Sequence, residues 1–293
     1  LELQEVTRSL KNSYSKGHDD LSINTIKNCC TQLSEPLCKI FNKSIQDGIV
    51  PDDLKIAKII PIYKSDNRKT VSNYRPISVL PALSKILERL VYNRLLDFID
   101  KNHILSDSQY RYRKRISTSM ALIDLVDNIS SSIAKNEYAL GIFLDLAKAF
   151  DTVNHDILLE KLHRYGIRGI PYNWFKNYLS NRHQYVYLNN TKSDQLPITC
   201  GVPQGSILGP LLFLLYINDL NTISNQLTIV MFADDTNIFI NGKNLLKLTE
   251  IANNELDKIN NWFSANLLSL NIKKTNYILF GNKKLNDIPL AIN

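Results

Sequence analysis

At 293 residues the chain is long enough for about two packed domains, and its 44% hydrophobic and 22% charged residues exclude a disordered or low-complexity polymer. The 35 Lys and Arg exceed the 28 Asp and Glu, and the balance of +7 suits a surface that meets polyanions. Cys29, Cys30, Cys38 and Cys200 include no CxxC pair and indicate neither a zinc site nor a disulfide scaffold, so a reduced intracellular compartment, cytoplasm and nucleus rather than secretion, is the expectation.

Residues 1–50 read as helical, with Leu33, Leu37, Ile40, Phe41 and Ile45 spaced for one buried face. The first residues lack signal-peptide character, and Leu1 in place of an initiator Met suggests a piece of a longer polypeptide. Pro51 breaks the helical pattern, and residues 55–64 alternate basic and apolar side chains like a strand. A loop over 65–73 leads to Tyr74-Arg75-Pro76-Ile77-Ser78. A helix over 84–99 follows, with Ile86, Leu87, Leu90, Val91, Leu95 and Phe98 on its apolar side. Residues 110–115, Tyr-Arg-Tyr-Arg-Lys-Arg, interleave aromatics with cations, so Tyr110, Tyr112, Arg113 and Lys114 are candidates for stacking bases and neutralising phosphates. The plainer reading of this stretch is a solvated basic face.

Another helix is predicted over 118–133, then an apolar run over 139–144, a strand buried on both faces that ends in Asp145. A carboxylate at that exit is costly to bury without a partner. The next helix carries Leu158, Leu159 and Leu162 and stops at Gly166, while Trp174, Phe175 and Tyr178 share a helical face and read as core. After a strand over 184–188 comes the glycine- and proline-rich segment 201–210, in which Pro210 suits the first turn of a helix running to Leu220. The apolar run Leu211–Ile217 falls well short of the ~20 residues a membrane span needs, so no membrane association is expected. Two Ile-, Val-, Phe- and Thr-rich runs then meet at Asp234 and Asp235, the signature of a hairpin with acids at its turn. Last come a long amphipathic helix through Leu245, Leu256 and Phe263, and a strand over 273–280 headed by two lysines.

Adjacent carboxylates in an apolar setting repel, and one takes up a proton unless a cation sits between them. An ordinary Asp-rich turn accounts for the pair equally well on this stretch alone. The order of elements adds to it: three acids from two strand ends could converge on one sheet edge and hold two metal ions, the arrangement that in-line phosphoryl displacement uses to stabilise both attacking and leaving oxygens.

Residues 143–151 (Phe-Leu-Asp-Leu-Ala-Lys-Ala-Phe-Asp), 201–210 (Gly-Val-Pro-Gln-Gly-Ser-Ile-Leu-Gly-Pro) and 232–235 (Phe-Ala-Asp-Asp) resemble motifs A, B and C of reverse transcriptases. The wording is most similar to the non-LTR, jockey-like retrotransposons of the LINE type. Residues 73–78, 165–169 and 270–275 extend the resemblance over about 15–281. It implies that Asp145, Asp234 and Asp235 hold two Mg2+ ions, with Asp234 the stronger candidate of the adjacent pair. It implies that Phe150 lies beneath the sugar and selects deoxynucleotides, that Gln204 and Gly205 contact the incoming nucleotide and template pair, and that Arg75 and Lys64 grip the triphosphate. Lys274 falls where a lysine protonates the leaving pyrophosphate. The implied partners are an RNA template, a DNA primer and dNTPs, within a longer polyprotein that carries an endonuclease.

The fold expected from this resemblance is α+β: a right-hand polymerase core with a ferredoxin-like palm, mostly helical fingers and a thumb largely absent. Its expected parts are fingers with an N-terminal extension over 1–137, palm over 138–165, an insertion over 166–199, palm over 200–281 and the start of a thumb connection over 282–293. The family usually has glycines where this chain carries Arg111 and Arg115. If either position needs a positive φ, arginine there costs about 1 kcal/mol or more. Two rivals stay open. Phe150 and the Pro203-Gln204-Gly205 turn argue against a viral-type RNA-dependent RNA polymerase, and the intact acids argue against a polymerase fold kept only for binding nucleic acid.

Overall fold

The computed structural model describes residues 2–111 and 118–281. In chain order these form α1 (Glu2–Ser9), α2 (Ile23–Asn28), α3 (Cys30–Asp47), β1 (Ile56–Tyr63), β2 (Tyr74–Val79) and α4 (Ala82–Lys101). Then come α5 (Thr118–Ala134), β3 (Tyr138–Leu144), α6 (His155–Arg164), α7 (Ile170–Leu179), β4 (Arg182–Leu188), β5 (Thr191–Lys192) and β6 (Leu196–Ile198). The described chain ends with α8 (Gly209–Ile217), β7 (Thr228–Phe232), β8 (Asp235–Gly242), α9 (Leu245–Ala265) and β9 (Asn276–Phe280). Mixed helix and sheet agrees with the α+β expectation at that level. No helix among the described residues is long and apolar enough to cross a membrane.

The chain divides into two compact units, each made of two segments: Leu1–Ile104 with Val153–Leu215, and Leu105–Thr152 with Tyr216–Asn293. In the first, β2, β1, β4 and β5 lie side by side and β6 pairs with β4. The ribbon of β1 and β2 is antiparallel, with Ile62 opposite Arg75, whereas β1 and β4 run parallel from Ile56/His183 to Ile59/Val186. Pro61 is tolerated in β1 because β4 has already left it at Ile59. Helix α3 ends at Gly48 in a left-handed conformation (φ +69°), three residues before Pro51. Its Leu37 and Phe41 are buried, but Ile40 is 49% exposed, which corrects the predicted face. Trp174, Phe175 and Tyr178 are buried in α7, as their spacing implied.

The second unit contains a four-stranded sheet in the order β7-β8-β3-β9, every pairing antiparallel. The apolar run of β3 is central, which explains why it does not alternate with polar residues. Helix α8, which belongs to the first unit as far as Leu215, is apolar all round, and every side chain from Leu211 to Ile217 is buried. It ends at Ile217 and continues as a 3-10 turn over Asn218–Thr222, so the predicted α-helix to Leu220 is shortened. On α9, Leu248, Ala252, Leu256, Ile259 and Phe263 form the buried stripe.

Candidate active site

The acids gather at one end of the four-stranded sheet because of strand register. Strand β8 starts at Asp235, which pairs with Phe232 across a two-residue turn of Ala233 and Asp234. On its other side β8 pairs with β3 up to Thr236 opposite Leu144, so Asp145, the next residue, emerges at the same sheet end as Asp235. The turn is tight enough to hold Ala233 at φ +59°, which costs a non-glycine residue about 1 kcal/mol or more. Gln109, fully buried, steadies it: its Oε1 accepts the Ala233 and Arg111 amides at 3.4 and 3.2 Å.

Asp145 is held from the turn before β9. The Asn271 amide donates to its carbonyl at 2.8 Å and Asn271 Nδ2 to its Oδ2 at 2.8 Å. Lys274 Nζ lies 3.4 Å from the same Oδ2. The Lys274 amide in turn donates to the Asn271 carbonyl at 2.9 Å, so one local turn aims both side chains. Asp145, Asp235 and Lys274 share a cavity of about 430 Å³ with Phe143, Phe232 and Asn237. Loss of hydration and then the charges of Asp234 and Asp145 raise the Asp235 carboxyl above its usual range, opposed by Arg111 and Lys274. Among the described residues no group of three His, Cys, Asp or Glu is drawn together tightly enough to hold a metal ion. The donors nevertheless suit a hard divalent cation, being carboxylates whose negative charge already holds an ammonium beside Asp145.

Phe150 lies half-buried in the turn that follows Asp145, where Lys148 takes φ +52° and its carbonyl accepts the Asp151 amide at 2.8 Å. Tyr110 Oη donates to Asp124 Oδ2 at 2.7 Å, and the Arg111 guanidinium lies 5.2 Å from the Phe232 ring centre. Tyr112, Arg113 and Lys114, with Arg115, lie outside the described residues.

The remaining candidates belong to the first unit. Lys64 and Arg75 are exposed at the same end of the β1–β2 ribbon. Gln204 and Gly205 form a turn before α8, where the Gln204 carbonyl accepts the Ser78 amide at 2.8 Å and Gly205 has φ +126°. Reading the sequence alone missed Asn271, Gln109 and Glu88. Asn271 sits inside the motif quoted for Lys274, and Glu88 is a lone acid within an apolar helical stripe.

A family model described as "Reverse transcriptase (RNA-dependent DNA polymerase)" matches residues 62–286. The chain belongs to this family. It is 33% identical over 290 residues to the RNA-directed DNA polymerase from mobile element jockey of Drosophila melanogaster, covering 96% of this chain and 32% of that protein. It is 30% identical over 300 residues to the probable RNA-directed DNA polymerase from transposon BS of the same species, covering 99% and 33%. A more distant relative is the retrovirus-related Pol polyprotein from type-1 retrotransposable element R1 of Bradysia coprophila, 26% identical over 95% of this chain and 28% of that protein. The resemblance to non-LTR, jockey-like reverse transcriptase domains is borne out, and the chain spans about a third of the length of these curated relatives.

Proposed function

We propose that this chain is the polymerase core of a non-LTR retrotransposon and extends a DNA primer on an RNA template, using dNTPs. The observation that carries the reading is the meeting of Asp145, Asp235 and Lys274 at the end of the four-stranded sheet, in a chain whose family is that of RNA-dependent DNA polymerases. The unit bearing these acids would serve as palm and the β1–β2 ribbon as part of the fingers. The element would act inside the cell as part of a longer polyprotein that includes an endonuclease.

Asp145, Asp234 and Asp235 would hold two Mg2+ ions, which when bound lower the charge cost at the attacking and leaving oxygens. Asn271 keeps the Asp145 carboxylate oriented for that task. Arg75 and Lys64 bind the triphosphate, and Gln204 and Gly205 receive the base pair being formed. Phe150 closes the space beneath the sugar against a 2'-hydroxyl. Tyr110 and the basic stretch after it contact the template. The primer 3'-hydroxyl gives up its proton to solvent as its oxygen bonds to the α-phosphorus and the α–β bridging P–O bond breaks, and Lys274 Nζ gives a proton to the departing pyrophosphate. Orientation and fixed charge supply most of the acceleration.

The test is extension of oligo(dT) on poly(rA) with Mg2+ and either dTTP or UTP. The reading expects dTTP to be incorporated and UTP refused, with Phe150→Ala admitting UTP. Preference for UTP by the unaltered protein would make it an RNA polymerase instead.

A further inference from the structure

Glu88 is an acid in the middle of α4 with only 1% of its surface exposed. Its Oε2 accepts the Ile207 amide at 2.6 Å and the Leu208 amide at 3.3 Å, while Tyr178 Oη donates to Oε1 at 3.1 Å and Ser84 Oγ lies 3.4 Å from the same atom. The two amides belong to the entry of α8, where the helix leaves donors unsatisfied and favours negative charge. Arg182, fully buried, is packed against Tyr178, and its positive charge opposes the rise that burial imposes on the Glu88 carboxyl. Its guanidinium lies 4.8 Å from the Tyr178 ring centre and its Nη1 donates to the Tyr178 carbonyl at 3.1 Å.

The Gln204–Gly205 turn is therefore held at both ends. Upstream, the Ser78 amide of β2 binds the Gln204 carbonyl at 2.8 Å. Downstream, Ser206 Oγ donates to the Pro203 carbonyl at 2.9 Å and accepts the Gly209 amide at 3.0 Å, and Glu88 takes the two amides between them. Pro203 and Ser206 are buried while Gly205 is exposed, so the tip is presented and its flanks are tied inward.

We propose that Glu88, held by Tyr178, is a positioning residue for nucleotide selection: it fixes the turn that carries Gln204 and Gly205. This rests on the reading that the turn receives the incoming base pair. Glu88 touches no substrate. Its effect falls on nucleotide KM and misincorporation, with kcat and template-primer affinity little changed.

The experiment measures hydrogen exchange across 201–209 in the free protein together with single-nucleotide extension kinetics, for the unaltered chain, Glu88→Gln, Glu88→Leu and Tyr178→Phe. Glu88→Gln keeps an oxygen for both amides and is expected near the unaltered protein in exchange. Glu88→Leu removes it, and the Ile207 and Leu208 amides should lose about tenfold or more of their protection, the size of a hydrogen bond to a charged group. Tyr178→Phe leaves the buried carboxylate in place but frees its rotamer, so it reports even if Glu88→Leu fails to fold. It is expected to raise dNTP KM and misincorporation several-fold with kcat within about twofold, the pattern of lost ground-state binding. Exchange unchanged in both Tyr178→Phe and Glu88→Leu would overturn the proposal, as would loosened exchange with KM and misincorporation unmoved. An unaltered chain that binds template-primer but extends nothing would instead overturn the polymerase reading, and the exchange comparison would still decide whether Glu88 holds the turn.

Discussion

Adding one methyl group at Gly205 tests the link between β2 and the turn before α8. A Cβ built there meets the Ser78 carbonyl oxygen at 2.4 Å, and that atom belongs to backbone already paired in the β1–β2 ribbon, so it cannot swing aside. The φ of +126° adds strain that an L side chain rarely bears. Backbone strain of about 1–3 kcal/mol and overpacking of about 1–3 kcal/mol together give roughly 2–6 kcal/mol for Gly205→Ala, and the Ser78–Gln204 hydrogen bond is at risk as well. Gly169 supplies the control: its φ is +64° with ψ −135° and nothing lies within 4 Å of an added Cβ, so Gly169→Ala carries the backbone strain alone, about 1–3 kcal/mol. Urea melts of both variants, followed by tryptophan fluorescence from the buried Trp174 in the same unit, read the difference directly. If Gly205→Ala shifts the midpoint no more than Gly169→Ala does, the turn does not lie against Ser78 and the reasoning fails.

Two further outcomes follow from named contacts. Asn271→Ala removes the donor that orients Asp145, and primer extension is expected to fall about 10–100-fold with a higher Mg2+ requirement, the usual effect of losing a group that orients a metal ligand; an unchanged Mg2+ titration would remove Asn271 from that role. His155 is pulled below its usual range by burial, against the hydrogen bond of its Nε2 to the Gly201 carbonyl at 2.8 Å. The native state then binds fewer protons than the unfolded chain. The stability it contributes is present above the unfolded value of 6.5 and is lost as pH falls through the lower native one. Melts between pH 7.5 and 5 should show this acid slope flattened in His155→Gln, and an identical slope in both proteins would contradict the assignment.

Much of the site was legible because it lies in local patterns. The hairpin around Asp234 and Asp235 declares itself through apolar runs on either side of two turn residues, and β3 through an unbroken apolar stretch ending in Asp145. Their meeting at one sheet end depends on the register of β3 against β8, a pairing across about ninety residues of chain that periodicity does not encode. The parallel pairing of β1 with β4 was hidden for the same reason. Helical spacing puts Ile40 on the apolar face because it says which residues share a face, not how far that face is covered. The sequence pattern overruns the end of α8 because no Gly or Pro marks Asn218 and Asp219, where the backbone tightens to a 3-10 turn. Glu88 escaped notice because an acid on a helix ordinarily points to water. What reverses that here, two amides from residues 207 and 208, lies about 120 positions away.

The most direct test of the acid cluster as the catalytic centre is the single-nucleotide extension rate of Asp234→Asn on an RNA template with saturating dTTP and Mg2+, measured beside its template-primer affinity. The account predicts that extension by the unaltered protein is lost in the variant while template-primer affinity holds, because an amide of the same shape removes only the negative charge. Extension by Asp234→Asn at the unaltered rate would contradict it, since the chemistry would then not depend on the acids at the end of the four-stranded sheet.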